Sequence, residues 1–115
     1  MKTEPLQWLE ELPFAVTVCD RNYRILYMND KAAEGTAKEG GKNLVGKSLM
    51  GCHPPKAQRK LRKVMSSGRP YVFTIEGKGN KKLVYEGHWR KGGNVGGLLE
   101  IYFDLPKEIP NLLRD

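Results

Sequence analysis

The chain has 115 residues, of which 39% are hydrophobic and 29% charged, and its formal net charge is +7. A chain of this length forms one domain that buries roughly two-thirds of its unfolded surface, so it needs no disulfide framework. Cys19 and Cys52 lack C-x-x-C spacing, which predicts reduced thiols in a cytoplasmic protein. No apolar run approaches the ~20 residues of a membrane span, and residues 1–12 lack the apolar segment of a signal peptide.

The first predicted elements are a short helix and a hairpin. Glu4–Leu12 has the apolar spacing of an amphipathic helix and ends before a proline. The β-branched, apolar run Phe14–Cys19 predicts a strand, and Arg24–Met28 predicts a second one. The turn residues Asp20-Arg21-Asn22 join these two strands into a hairpin.

The middle of the chain predicts small helices followed by one longer helix. Asn29-Asp30 offers an N-cap for a short helix over Lys31–Lys38. Pro55–Ser67 predicts the longer helix, because proline is tolerated in a first turn and Gly68 can end the helix. The apolar stripe of this helix consists of Ala57, Leu61, Val64 and Met65.

Gly51-Cys52-His53-Pro54-Pro55 brings a thiol and an imidazole to the start of the longer helix. Helix N-termini favour negative charge and lower the pKa of thiols placed there. The motif can therefore hold a ligand, a reactive thiolate or a stiff structural corner.

The longer helix is strongly basic, with Lys56, Arg59, Lys60 and Lys63 on one face. A solvated face is the simpler interpretation, because amphipathic helices normally carry their charge on one side. An acidic partner is the alternative, since clustered lysine and arginine release counterions from phosphate. Nucleic-acid binding through this helix is therefore kept as a weaker alternative function.

The last third of the chain changes to a strand-like pattern. Tyr71–Glu76, Lys82–Arg90 and Val95–Asp104 are three predicted strands. Gly77-Lys78-Gly79-Asn80 and Lys91-Gly92-Gly93-Asn94 separate them and are typical of hairpin turns. Three consecutive antiparallel strands are expected.

This order of elements resembles the PAS domain family from about Leu12 to Lys107. The motifs that carry the resemblance are Leu12-Pro13-Phe14-Ala15-Val16, Tyr27-Met28-Asn29-Asp30-Lys31-Ala32-Ala33, Val45-Gly46-Lys47, Ser67-Gly68-Arg69-Pro70 and Asp104-Leu105-Pro106. The Cys-His-Pro-Pro variant is similar to PAS modules attached to hemerythrin-like domains in bacteria and archaea. The resemblance implies an N-terminal amphipathic helix in residues 1–12, a PAS domain in residues 13–107 and a C-terminal tail in residues 108–115.

The resemblance implies an α+β PAS fold in which a five-stranded antiparallel sheet carries short helices and one longer helix on one face. PAS domains usually sense or dock, because the occupancy of a cavity under the helices changes how the module pairs with partners. We therefore expect a non-enzymatic signalling module that binds a small molecule or docks a partner protein. Regulation of transcription is among the outputs that such modules serve.

The family's strand register implies which side chains face the cavity. It leaves His88 exposed and points alternate residues of the last three strands toward the cavity: Tyr71, Phe73 and Ile75, then Leu83, Tyr85 and Trp89, then Leu98, Glu100 and Tyr102. The expected ligand-binding residues are Thr17, Cys19, Cys52, His53, Met65, Tyr71, Phe73, Tyr85, Trp89, Glu100 and Tyr102. Glu100 and the tyrosines then form a polar cluster that a ligand, water or their own hydrogen bonds must satisfy, unless Glu100 faces solvent.

The same register leaves an apolar stripe on the outer face of the sheet. Monomers seldom expose large contiguous apolar patches, so the N-terminal helix or a second subunit is expected to cover it. The residues expected in a homodimer interface are Leu6, Trp8, Leu9, Leu99, Ile101 and Phe103.

Cys52 and His53 raise the alternative of a haem- or metal-binding gas or redox sensor, because thiolate and imidazole both ligate iron. Zinc normally takes three or four ligands, so this pair is too small for a zinc site. Compared with haem-binding PAS domains, His53 lies about one helical turn early, and Ala57 stands near the usual ligand position. Leu49 stands where light-sensing PAS domains carry cysteine, which disfavours flavin. A pocket-shaping role is the main expectation for the motif, with a redox thiol at Cys52 as a further alternative.

Overall fold

The computed structural model describes residues 7–115, so Met1–Leu6 lie outside the description. Its helices are α1 (Gln7–Glu10), α2 (Asp30–Gly35) and α3 (Pro55–Ser67), and 3-10 turns cover Ala37–Glu39, Gly41–Leu44 and Leu49–Cys52. Its strands are β1 (Ala15–Cys19), β2 (Ile25–Met28), β3 (Tyr71–Gly77), β4 (Asn80–Lys91) and β5 (Asn94–Asp104). This order of elements confirms the α+β fold, although the predicted helix over Lys31–Lys38 divides into α2 and a 3-10 turn.

The five strands form one antiparallel sheet in the order β2-β1-β5-β4-β3. The segment between β2 and β3 crosses from one edge of the sheet to the other and contains α2, the 3-10 turns and α3. Helix α2 packs on β1, and α3 packs on β4. The helices therefore cover one face of the sheet, as the sequence predicted.

The core lies between this face and the helices. Leu61 and Val64 of α3 pack in one buried cluster with sheet residues such as Ala15, Cys19 and Leu98. Helix α3 begins at Pro55 and ends at Gly68, whose φ of 70° is the left-handed conformation that glycine adopts at helix ends. Both predicted ends of the longer helix are confirmed.

Two hairpin turns set the register of the last three strands. Lys78 and Gly79 have φ angles of 51° and 76°, and Gly92 and Gly93 have φ angles of 59° and 84°. Positive φ at both central residues is typical of the two-residue turn whose twist matches that of paired strands. A two-residue loop fixes which residues oppose one another next to the turn. The β3–β4 register follows from its turn throughout, whereas an irregularity between Trp89 and Arg90 shifts the β4–β5 register by one residue.

The predicted orientation of β4 is wrong. Val84 pairs with Tyr102, and Glu86 pairs directly with Glu100. Residues opposite each other in an antiparallel pair project to the same face, so Glu86 shares the inner face with Glu100. Leu83, Tyr85 and Trp89 consequently lie on the outer face, one residue out of phase with the expectation. The predicted orientations of β3 and β5 are confirmed, because Phe73 also pairs with Val84.

His88 and Trp89 show the consequence of this shift. The His88 side chain is half-buried under α3, and its Nε2 lies 2.7 Å from the carbonyl oxygen of Val64, so it is not the exposed residue that was expected. The Trp89 indole crosses β5 and donates from Nε1 to the carbonyl oxygen of Cys19 at 2.8 Å. Gly97 permits this crossing, since a Cβ there would collide with the Cys19 carbonyl and the indole.

The Asn29 side chain connects α1, β1 and α2. Its side chain is fully buried, and Oδ1 accepts from the backbone N–H groups of Val16 (2.9 Å) and Ala32 (3.1 Å). Its Nδ2 donates to the carbonyl oxygens of Phe14 (2.8 Å) and Leu9 (3.0 Å). The predicted N-cap is confirmed, and the same amide also holds β1 and the chain that follows α1.

We expect Asn29→Ala to destabilise the protein by about 2–4 kcal/mol, because it removes a buried side chain and leaves backbone groups without partners. Urea denaturation followed by circular dichroism measures this loss. Asn22→Ala is the matched control: the Asn22 side chain is exposed, so its free energy of unfolding should stay within about 0.5 kcal/mol of the wild type. Equal stability of the two variants would show that the Asn29 bonds contribute nothing.

Candidate ligand cavity

A cavity of about 470 Å³ lies between the helices and strands β3 to β5. Its apolar wall is formed by Ala57, Phe73, Ile75 and Val84, and its polar groups are His53, Glu86, Glu100 and Tyr102. Lys31, Gly35 and Lys82 complete the lining. Cavities of roughly 300–1,000 Å³ with apolar walls and a few polar groups are the usual form of small-molecule sites.

Four of the predicted ligand-binding residues line this cavity: His53, Phe73, Glu100 and Tyr102. Tyr71 lines an adjoining groove of about 290 Å³ beside α3, which shares part of the cavity wall. Lys60 extends from α3 over the Tyr71 ring, with Nζ 4.3 Å from the ring centroid.

The other predicted residues lie elsewhere. Thr17 and Cys19 are buried in the body of the fold, whereas Cys52 and Met65 are partly buried and pack against the core. Tyr85 and Trp89 lie on the outer face because of the register of β4. None of these six residues belongs to the cavity lining, so the sequence prediction placed them wrongly.

Glu86 is the main cavity residue that the sequence prediction missed. It is only 5% exposed and stands opposite Glu100 on the neighbouring strand, so two carboxyl groups meet in a largely apolar cavity. Its Oε1 has no hydrogen-bond partner among residues 7–115. The signal that could have revealed it is the turn at Lys78-Gly79: counting from Gly77 opposite Asn80 sets Tyr71, which was expected to face the cavity, opposite Glu86. The turn at Gly92-Gly93 is misleading, because regular counting sets Tyr85 opposite Glu100, and the irregularity between Trp89 and Arg90 shifts the register by one residue.

Both carboxyl groups are held toward their protonated forms. The pKa of Glu86 is raised to about 7 by burial and by the neighbouring Glu100, with which Glu86 shares a hydrogen bond. The charges of His53 and Lys60 act in the opposite direction. Burial also raises the pKa of Glu100. Two carboxyl groups in one desolvated site cannot both ionise without cost, so near neutral pH the pair retains a proton.

Tyr102 reaches the cavity beside Gly35 of α2. A Cβ at position 35 would collide with the Tyr102 hydroxyl, so the absence of a side chain there allows the close approach. Burial raises the pKa of Tyr102, so the phenol stays protonated and can donate a hydrogen bond into the cavity.

The Cys-His-Pro-Pro motif forms the corner before α3. The Nδ1 atom of His53 lies 2.9 Å from the carbonyl oxygen of Leu49. Since a carbonyl only accepts, Nδ1 carries a proton, and in the neutral imidazole Nε2 then keeps the lone pair. The Gln58 side chain donates to the carbonyl oxygens of Met50 and His53, which fixes the corner against the first turn of α3.

The thiol of the motif is separate from the cavity. Burial raises the pKa of Cys52, which opposes the reactive thiolate considered from the sequence. Burial likewise raises the pKa of Cys19, to about 11. Cys52 and His53 do not face one cavity, and no group of three metal-ligating side chains occurs in residues 7–115. The pair therefore does not fit a haem iron or metal ion held by both side chains.

The outer face of the sheet is apolar. Phe14 stacks on Phe103 with their ring centroids 4.6 Å apart, and Leu99 and Ile101 lie on the same face. The Trp8 side chain of α1 is 65% exposed. Leu9 is half-buried, and Leu6 lies outside the described residues.

The basic face of α3 is directed to solvent, with Lys56, Arg59, Lys60 and Lys63 all exposed. Within residues 7–115, no helix is both long and apolar enough to cross a membrane.

Known structures share this architecture. A C-terminal domain from Streptococcus mutans is similar with a TM-score of 0.73 and 24% identity, covering 90% of this chain and 84% of that one. Vibrio cholerae VqmA, in a complex with ligand and DNA, gives a TM-score of 0.70 and 19% identity, covering 91% of this chain and 52% of VqmA. A sensory box sensor histidine kinase from Vibrio cholerae gives 0.64 and 18%, covering 91% and 94%. These similarities concern the fold alone.

Comparison of the sequence with family models identifies the family of the chain. No curated protein sequence matches the chain at a significant level. The family model described as PAS fold matches residues 9–104, which include every strand of the sheet as well as α2 and α3. Since this match spans most of the chain, the protein belongs to the PAS fold family.

Proposed function

We propose that this PAS domain is a sensor module that binds a small molecule in its cavity and signals by protein–protein contact. The observation that carries the proposal is the buried carboxyl of Glu86, which lines the cavity and leaves Oε1 without a partner in the described part of the chain. An unsatisfied buried polar group is costly, so a ligand that supplies the missing hydrogen bond gains affinity from the site.

The cavity can report its occupancy to the rest of the molecule through Asn29. Helix α2 contributes Lys31 and Gly35 to the cavity lining, and Asn29 caps this helix while it binds the carbonyl of Leu9. A ligand that displaces α2 therefore acts on the segment joining α1 to the sheet. Helix α1 and the outer face of the sheet are the surfaces through which we expect partners or a second copy to bind.

In this proposal residues 13–107 form the sensing body, while residues 1–12 and 108–115 flank it. Sensing requires no reaction, so we expect no catalytic turnover. The similarity to PAS modules attached to hemerythrin-like domains remains a prediction, as does a role in regulating transcription. Nucleic-acid binding by α3 has only its solvent-exposed basic face in its favour.

Filling the cavity should abolish ligand binding. Ala57 lines both the cavity and the adjoining groove, so Ala57→Phe places a ring in the space that a ligand needs. Native mass spectrometry of wild-type protein, purified from its own host or incubated with a metabolite extract of that host, should show a bound mass that Ala57→Phe lacks. Ile75→Trp fills the same cavity from β3 and serves as a second variant if Ala57→Phe fails to fold.

Ala37→Phe is the matched control for this experiment, because Ala37 is exposed on a 3-10 turn outside the cavity. It should retain the bound mass. Wild-type protein without any bound mass, or cavity-filled variants that keep it, would contradict the proposed ligand site.

Homodimerisation should depend on the outer face and α1. Trp8→Glu places a charge on an exposed apolar side chain, so we expect the mass measured by light scattering to fall from dimer to monomer. Val45→Glu is the control, because Val45 is an exposed apolar residue that follows a 3-10 turn on the helical side. An unchanged mass for Trp8→Glu, or an equal fall for both variants, would exclude this interface.

The ligand-free protein should lose stability as the pH rises. Between about 4.5 and 7, folded Glu86 retains a proton that the unfolded chain has released, so the free energy of unfolding falls across this window. We expect a decline of about 2 kcal/mol by pH 8, since each unit of pKa difference corresponds to about 1.4 kcal/mol. Urea denaturation at pH 5 and pH 8 measures it.

Glu86→Gln should reduce this decline to less than half, because the amide cannot ionise. Glu76→Gln is the matched control on β3, where the side chain is exposed, and it should keep the wild-type decline. If both variants decline as the wild type does, the buried carboxyl pair is not the source of the pH dependence.

A further inference from the structure

We propose that the cavity selects a small organic cation, an amine or amidine on an apolar body, whose positive group binds between Glu86 and Glu100. This inference rests on the proposed ligand-binding function and specifies the chemical class of the ligand. It follows from four properties of the cavity: the carboxyl pair, the type of hydrogen-bonding atoms, the apolar wall and the charge at the rim.

The carboxyl pair is arranged for a shared positive partner. Glu86 and Glu100 stand directly opposite on adjacent strands, both line the cavity, and the Glu86 side chain is 95% buried with Oε1 unpartnered among residues 7–115. The four ion pairs found in the described residues involve neither of them. Lys60 of α3 lines the adjoining groove with Glu86 and lowers its pKa, but no ion pair joins them within the described residues, and its Nζ lies 4.3 Å from the centroid of the Tyr71 ring.

The imidazole of His53, which lines the same cavity, also offers a hydrogen-bond acceptor. With Nδ1 of His53 donating to Leu49, the lone pair of the neutral imidazole is on Nε2. Once a bound cation displaces the proton that the pair retains, two carboxylates and this nitrogen offer acceptors in excess, and the Tyr102 hydroxyl is the uncharged side-chain donor among the lining residues. A ligand with several N–H donors on one positive group matches this set.

The remaining wall is apolar and limits what can carry the positive group. Phe73, Val84 and Ala57 surround the carboxyl pair, and Ile75 extends the apolar surface toward solvent, since its side chain is 54% exposed. A volume of about 470 Å³ suits a body of one or two rings. A hydrated inorganic cation would gain nothing from such a wall.

The two lysines of the lining do not oppose a cation. Lys31 Nζ lies 3.3 Å from Glu34, and Lys82 Nζ lies 2.7 Å from Asp104. Each lysine is thus paired with a carboxylate in an exposed position, where solvent screens the remaining field. The carboxyl pair, in contrast, is desolvated, so its charge acts on a bound ligand with little screening.

A metal ion is the competing occupant of an acidic site. No group of three or more metal-ligating side chains occurs in residues 7–115, so Glu86, Glu100 and His53 do not converge on a point. Two carboxylates without a third ligand form a poor site for a divalent ion. The geometry therefore favours an organic cation, which needs donors on a surface and no closed coordination shell.

Three probes of equal size and different charge test the inference: benzamidinium, benzamide and benzoate. Each is titrated into 15N-labelled protein at pH 8, and the amide resonances of residues lining the cavity are followed. We expect benzamidinium to shift these resonances with a dissociation constant of about 1 mM or lower. Benzamide should bind at least about tenfold more weakly, and benzoate more weakly still, because the pair repels a carboxylate.

Glu86→Gln and Glu100→Gln should each weaken benzamidinium binding about tenfold, because a charge-assisted hydrogen bond becomes a neutral one. Glu76→Gln, an exposed site on β3, is the matched control and should bind as the wild type does. Two isosteric variants are used so that the test still stands if one of them does not fold. The dispersion of the amide resonances shows whether each variant is folded.

Three outcomes overturn the inference: no cavity shifts with benzamidinium, equal or tighter binding of benzamide or benzoate, or unchanged binding by both carboxyl variants. Cavity binding of the neutral or anionic probe would leave the ligand-sensing function standing while excluding the cationic class. The proposed sensing function is tested separately: it is contradicted if native mass spectrometry shows no bound mass that the cavity-filling variants lose. The two failures are therefore distinguishable.

Discussion

The structure depends on one buried amide, that of Asn29. A buried polar side chain is tolerated only when its donors and acceptors are satisfied, and all four Asn29 bonds go to the backbone. The Asn29 oxygen accepts from Val16 of β1 and from Ala32 in the first turn of α2, and the Asn29 nitrogen donates to the carbonyl oxygens of Leu9 and Phe14. The amide therefore fixes where the chain enters the sheet relative to the helix that borders the cavity. This position is the reason we propose Asn29 as the link between the cavity and the N-terminal surface.

The cavity presents the opposite situation, in which polar groups are buried without complete satisfaction. Glu86 and Glu100 face each other in apolar surroundings, and burial raises the pKa of both. The neighbouring Glu100 raises the pKa of Glu86 further, whereas the hydrogen bond from Glu86 acts in the opposite direction on Glu100. An empty site carries this cost, and an occupant with suitable donors removes it. Functional sites commonly retain such locally unfavourable arrangements, because the same feature that weakens the free protein strengthens binding. The proposed sensing function and the proposed ligand class both follow from this one pair.

Much of the fold could be predicted from local signals. Pro55 and Gly68 mark the ends of α3, and the turns at Lys78-Gly79 and Gly92-Gly93 mark the hairpins, because each depends on the conformational limits of a few neighbouring residues. The side chains of β4 were placed on the wrong faces, because the family's strand register was carried over to this strand without the irregularity that shifts it by one residue. The observed faces follow from the pairing of β4 with β5, in which an irregularity after Trp89 shifts the register by one residue.

The sequence by itself determined the order of elements, their approximate ends and membership in a family, because these follow from short-range propensities and from motifs read along the chain. It also determined that His53 would stand at a corner beside the cavity. The tertiary structure alone decided that Glu86 meets Glu100, that Cys52 packs against the core without lining the cavity and that Trp89 crosses the outer face. Each of these outcomes depends on which residues distant in sequence are brought opposite one another, and a change of one residue in strand register reverses it.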